Sequence, residues 1–154
     1  MLRNIYGSLG TVTGIGRLFL DTAPLIYFLD DDEHYAGKMK DIFYNALTSG
    51  VKIITSALTV TEYLIYPFRS GNTEKINVFF EFINDAEIEI MSINTATAAK
   101  AAQIRAEYTA FKTIDALQLA SACINFCDVF LTNDKQLCQF QEMKCITVDN
   151  FRQI

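Results

Sequence analysis

A chain of 154 residues that is 51% apolar and only 20% charged can bury the core of one domain, which excludes a disordered chain. Its net charge of −5 excludes a protein that holds DNA or RNA mainly by counterion release, so any nucleic-acid role must rest on a local site or a partner. No apolar run approaches the ~20 residues that span a bilayer, which predicts a protein without a membrane anchor.

The reading divides the chain into a lead-in, 1–16, and a single domain, 17–154. The lead-in carries glycines at 7, 10, 14 and 16 and no continuous apolar stretch, so no signal peptide is read and a flexible or loosely packed segment is expected. Those glycines make no dinucleotide fingerprint, because the third position of the motif falls on Phe19. From Arg17 the pattern alternates. "RLFL" reads as a strand that stops at Asp21, and "APLIYFL" as a helix. "EHYAGKMKDIFYNALTSG" is a helix with Ile42, Phe43, Ala46 and Leu47 on one face, stopped by Gly50. "VKIITS" is a β-branched strand, and "LTVTEYLIYPF" a helix up to Pro67. "TEKINVFFEFIND" is a helix, "EIEIMSI" an alternating strand, and "TATAAKAAQIRAEYTAF" and "TIDALQLASACINF" are successive helices. "DVFLT" is a strand, "NDKQLCQFQEM" a helix and "CITVDNF" the last strand. Such alternation with short connections predicts an α/β fold, a mostly parallel sheet of about five strands with helices on both faces. Ligands of such sheets bind outside the carboxyl ends of the strands.

Four acids fall at or near such ends. Asp21 follows the first strand, Asp134 follows "VFLTN", Glu62 lies about two turns after the second strand, and Asp115 opens the "TIDALQLASA" helix. Each has a purely structural reading. Asp21 or Thr22 caps the next helix, Thr59 and Glu62 form a T-x-x-E capping box, Asp115 favours the helix dipole with Thr113 as cap, and Asp134 caps "KQLCQF". Together they have another. Carboxylates gathered at one edge repel by on the order of a kcal/mol or more per close pair, which a divalent cation would relieve. Oxygen ligands suit Mg²⁺ or Mn²⁺, and no histidine lies near these positions. Such a site suits phosphodiester hydrolysis by a metal-activated water. The acidic run Asp30 to Glu33 and His34 read as solvated surface, and Asp128 as structural, at the wrong end of its strand. Cys123, Cys127, Cys138 and Cys145 include no C-x-x-C pair; Cys123 and Cys127 could share a helix face, but reduced thiols are expected rather than a zinc site.

The ordered set "FLDTAPLIYFLD", "TSALTVTEYL", "AAQIRAEYTAFKTIDALQLASA" and "DVFLTND" resembles the PIN domain, and more narrowly the VapC-type ribonuclease toxins of prokaryotic toxin–antitoxin pairs, from about Arg17 to Phe151. The resemblance implies a PIN-like three-layer sandwich and a Mg²⁺- or Mn²⁺-dependent endoribonuclease. Its acid quartet would be Asp21, Glu62, Asp115 and Asp134, catalytic and metal-holding, with Asp21 and Asp115 as direct ligands. Thr22, Thr132 and Asn133 would support them, and Arg17, Arg105, Lys112 and Lys135 could meet RNA phosphates. It also implies a homodimer and a cognate antitoxin, for which "YLIYPF" and "INVFFEFI" offer apolar surface, while the reduced thiols point to a cytoplasmic protein. The departure is the stretch of about twenty residues before Asp21.

Two rival readings stand beside this one. A phosphatase using D-x-D would need an acid where Ala23 stands. A non-catalytic RNA- or protein-binding module would not need the complete quartet.

Overall fold

The structure, a computed structural model, describes residues 14–153, so the expected lead-in lies outside it except for its last three residues. Five strands carry the fold: β1 (Arg17–Leu20), β2 (Lys52–Ser56), β3 (Glu89–Met91), β4 (Val129–Thr132) and β5 (Lys144–Thr147). They form one sheet in the order β3-β2-β1-β4-β5, and every pairing is parallel. Six α-helices join them among the described residues, α1 (Thr22–Leu29), α2 (Ala36–Thr48), α3 (Ala57–Ser70), α4 (Thr73–Asp85), α5 (Thr95–Glu107) and α6 (Thr113–Ile124), with 3₁₀ helices at Lys135–Gln139 and at Val148–Gln153, where the expected last strand has already ended. None is long and apolar enough to cross a membrane.

Strand alternation splits the core into two layers. Leu18, Leu20, Ile53, Val129, Leu131 and Ile146 face one side, where they pack with side chains of α1 to α4. Phe19, Ile54 and Phe130 face the other, against α5 and α6. Phe19 and Phe130 stack across the β1–β4 pair with ring centroids 5.2 Å apart. The small residues Ala116, Ala120 and Ala122 are fully buried and let α6 approach this layer closely. At the amino edge of the sheet, Asp128 accepts the backbone N–H groups of Gly16 and Arg17 at 2.8 and 2.9 Å, the structural role expected of it.

Three local expectations are corrected. The helix after β2 starts at Ala57, capped by Ser56 rather than by Thr59, and it runs through Pro67 to Ser70. Pro67 lies in the last turn and is buried, and its missing N–H leaves the Tyr63 carbonyl without that helical bond. "KQLCQ" is a 3₁₀ turn, not an α-helix. With three residues per turn, Leu137 and Phe140 share one face, and both are buried. "EIEIMSI" pairs only over Glu89–Met91, as an edge strand with β2 as its sole neighbour. Gly71 ends α3 at φ 66°, a left-handed conformation that a side chain resists. Gly71→Ala is expected to destabilise the protein by about 1 kcal/mol, read as a lower denaturation midpoint with an unchanged slope.

Candidate active site

Because β2 and β4 flank β1, the chain reverses its direction of strand addition at β1, and the crevice beyond the carboxyl ends of β1 and β4 is the switch point of the sheet. The backbone N–H of Asp21 donates to the Leu131 carbonyl at 3.0 Å, which keeps the two strand ends together. Asp21 is itself the N-cap of α1: Oδ1 accepts the Thr22 N–H at 2.8 Å. Its other oxygen, Oδ2, accepts the Thr132 hydroxyl at 2.8 Å. Thr132 in turn accepts the Asp134 N–H at 3.1 Å, and Asp134 caps the 3₁₀ turn by accepting the Gln136 N–H at 2.9 Å. The turn after β4 is thus built around the Asp21 carboxylate. Asn133 is tied to α1 through the Tyr27 hydroxyl at 3.0 Å.

Glu62 comes from the second turn of α3 and Asp115 from the first turn of α6. With Asp21 and Asp134 they line one open cleft of about 470 Å³, beside Thr22, Thr132 and the apolar Ile26 and Ile65. The structural alternatives resolve unevenly. Asp21 and Asp134 are caps as well as cleft residues. Thr22 leaves the capping to Asp21 and donates its hydroxyl to Glu62 Oε2. Thr59 is fully buried behind the cleft and caps nothing. The N-cap of α6 is Lys112, without a side-chain bond, and Thr113 accepts from Arg105 Nη1 at 2.7 Å instead.

The electrostatics fit a crowded acidic site. Asp21 is held at about 6, first by burial and then by the charges of Asp115 and Glu62, against the opposing bonds from Thr132 and Thr22. Asp115 is also raised, first by burial and then by the Asp134 charge, and the neighbouring Lys112 opposes this. The cleft lining contains neither histidine nor cysteine. Among the described residues no three His, Cys, Asp or Glu side chains close into a ready-made metal cage. The polar lining of the cleft is made of carboxylate and hydroxyl oxygens, the donor type that hard cations prefer.

The predicted cations divide. Lys112 precedes α6 and acts on Asp115 through its charge, and Lys135 directly follows Asp134 on the exposed turn. Arg105 lies on α5 against Thr113, two residues from Asp115. Arg17 does not join them. It starts β1 at the opposite edge of the sheet, about 13 Å of strand from Asp21, where its Nε donates to the Asn125 carbonyl and its guanidinium faces Glu89 at 4.0 Å. In a parallel sheet the first residue of a strand cannot reach the carboxyl crevice. Cys127 lies beyond the end of α6 and so shares no helix face with Cys123. Sequence reasoning missed Gln118, which sits fully buried behind the cleft; its only signal was an amide placed one turn after Asp115 on a helix otherwise lined with small and apolar residues.

Residues 18–143 match the family model described as PIN domain. No match was found among curated proteins. The structure is similar to a DNA-bound VapBC from Salmonella typhimurium, with a TM-score of 0.71 and 19% identity over 86% of this chain and 98% of that one. It is also similar to a toxin–antitoxin complex from Klebsiella pneumoniae and to FitAcB from Neisseria gonorrhoeae. Each gives a TM-score of 0.64 at 19% identity, over 85% of this chain and 97% of the other.

Proposed function

The chain belongs to the PIN-domain family, and from that premise we propose that it is a divalent-metal-dependent endoribonuclease, the toxin of a toxin–antitoxin pair. The observation that carries this reading is the delivery of Asp21, Glu62, Asp115 and Asp134 from four separate elements into one crevice at the switch point of the sheet. Helix capping accounts for Asp21 and Asp134 but not for Glu62 and Asp115, whose helices have Ser56 and Lys112 at the N-cap. The names of the similar solved structures, which are toxin–antitoxin complexes, support the partner.

Asp21 and Asp115 would hold Mg²⁺ or Mn²⁺ directly, and Glu62 and Asp134 would ligate it or orient its water. When bound, the ion supplies an activated water and neutralises charge that develops on the phosphate. The chain does the rest. Thr132 and the Thr22 N–H hold the Asp21 carboxylate facing the cleft. Lys112, whose charge acts on Asp115, and Lys135 and Arg105 would supply positive charge for the flanking phosphates of RNA, which a chain of net charge −5 would otherwise repel. Ile65 lines the cleft, and Tyr66, Phe68 and Phe80 are further exposed apolar side chains of α3 and α4 that would serve the antitoxin or a second copy of the chain. The toxin would act on RNA in the cytoplasm.

Purified protein is expected to cleave RNA with Mn²⁺ or Mg²⁺ and to stop when EDTA is added, with activity restored by excess metal. Mn²⁺ should also raise the melting temperature, because only the folded chain presents the quartet. The lack of a ready-made cage favours a second reading, a non-catalytic RNA- or protein-binding module. Calorimetry separates the two: no heat of Mn²⁺ binding at millimolar concentration would select the module.

A further inference from the structure

Gln118 has no exposed surface, which is rare for a glutamine and requires its amide to be satisfied internally. It meets three elements at once. Its Oε1 accepts the Ser56 hydroxyl at 2.5 Å, and its Nε2 donates to Thr59 at 2.9 Å and to Thr22 at 3.3 Å. The direction of these bonds is fixed by the neighbours. Ser56 already accepts the Leu58 N–H as the N-cap of α3, which leaves its own proton for Oε1. Thr55 donates to the Leu20 carbonyl at 2.8 Å, so the one proton of Thr59 serves its contacts with the Thr55 and Thr22 hydroxyls, at 2.8 and 3.0 Å. The Thr22 hydroxyl, supplied by Gln118, then has its proton free for Glu62, and the structure shows that bond.

We propose that Gln118 is a positioning residue for the cleft: a one-way hydrogen-bond relay, from Ser56 through Gln118 and Thr22, holds the Glu62 carboxylate in place. Gln118 stands one turn after Asp115 on α6, and its bonds go to Ser56, Thr59 and Thr22. The consequence for catalysis rests on the reading of Glu62 as a member of the metal site. The relay itself does not.

The test is a double-mutant cycle of Gln118→Met and Glu62→Gln. Mn²⁺ affinity is measured by calorimetry, and the carboxyl carbon of Glu62 by NMR on metal-free protein. In the wild-type background Gln118→Met should weaken Mn²⁺ binding about tenfold. In the Glu62→Gln background it should change binding less than about twofold, because the residue through which Gln118 acts is already gone. RNA cleavage should lose kcat with KM nearly unchanged. Equal weakening in both backgrounds would overturn the proposal, since Gln118 would then act through general packing. An unmoved Glu62 carboxyl signal in Gln118→Met would also overturn it. A moved signal, together with Mn²⁺ affinity insensitive to Glu62→Gln, would support the relay and remove Glu62 from the metal site. If Gln118→Met does not fold, Thr22→Val takes its place in the same cycle, since it deletes the last hydroxyl of the relay and nearly preserves shape.

Discussion

Asp21→Asn is expected to abolish RNA cleavage, by at least about a hundredfold, and to make the metal-free protein more stable. The loss exceeds what neighbours of metal ligands usually cost, because the change removes the carboxylate at the centre of the site. The gain follows from linkage. Asp21 titrates near 6 in the fold against an ordinary 3.8, so the folded chain binds more protons than the unfolded one between those values. Its contribution is therefore neutral below about pH 4, and becomes increasingly destabilising as pH rises through 6, after which the cost is constant. Fully realised, a shift of this size costs up to about 3 kcal/mol, and the open cleft on one side of Asp21 reduces it to about 1–2 kcal/mol. Asparagine keeps an oxygen for the Thr22 N–H and carries no charge. Denaturation in EDTA should show the variant and the wild type alike near pH 4, with the variant ahead above pH 6. A variant that cleaved RNA as well as the wild type would remove Asp21 from the mechanism.

Phe130→Ala is expected to cost about 3–5 kcal/mol, the largest stability loss of any change considered. Phe130 has no exposed surface, lies in the central half of the sheet, and stacks on Phe19 beneath α5 and α6. The cavity opens between two strands whose ends hold Asp21 and Thr132, so little collapse can fill it without moving the site. For a chain of this length the melting temperature should fall by roughly 10–15 °C. Cleavage should persist well below the new midpoint, since Phe130 touches none of the four acids. Phe68→Ala is the control: with two thirds of its surface exposed, it should change stability by no more than about 0.5 kcal/mol. A Phe130→Ala protein as stable as this control would mean that the two-layer core is wrongly described.

The sequence by itself determined the kinds and order of the main elements, because the signals that make them are local. Short continuous apolar runs made β1 and β4, helical spacing made α4 over the predicted residues, and the abrupt stop of these two strands at a polar residue marked the carboxyl edge. That was enough to select Asp21, Glu62 and Asp134 as neighbours, given a parallel sheet. Local signals misled where two roles compete for one residue type. Thr59-x-x-Glu62 has the spacing of a capping box, yet Ser56 caps, and the buried hydroxyl of Thr59 serves the network behind the cleft.

Only the tertiary structure decided three further matters. Asp115 enters the cleft because α6 packs under β1 and β4 with its first turn at the carboxyl edge, and no spacing in a helix that follows a helix encodes that placement. Arg17 leaves the site because it begins its strand instead of ending it. Gln118 acquires partners 59, 62 and 96 residues away in the chain. The periodicity of side chains along one element says which face is buried. Which ends of which elements meet depends on sheet order, set by long-range burial on both faces of the sheet.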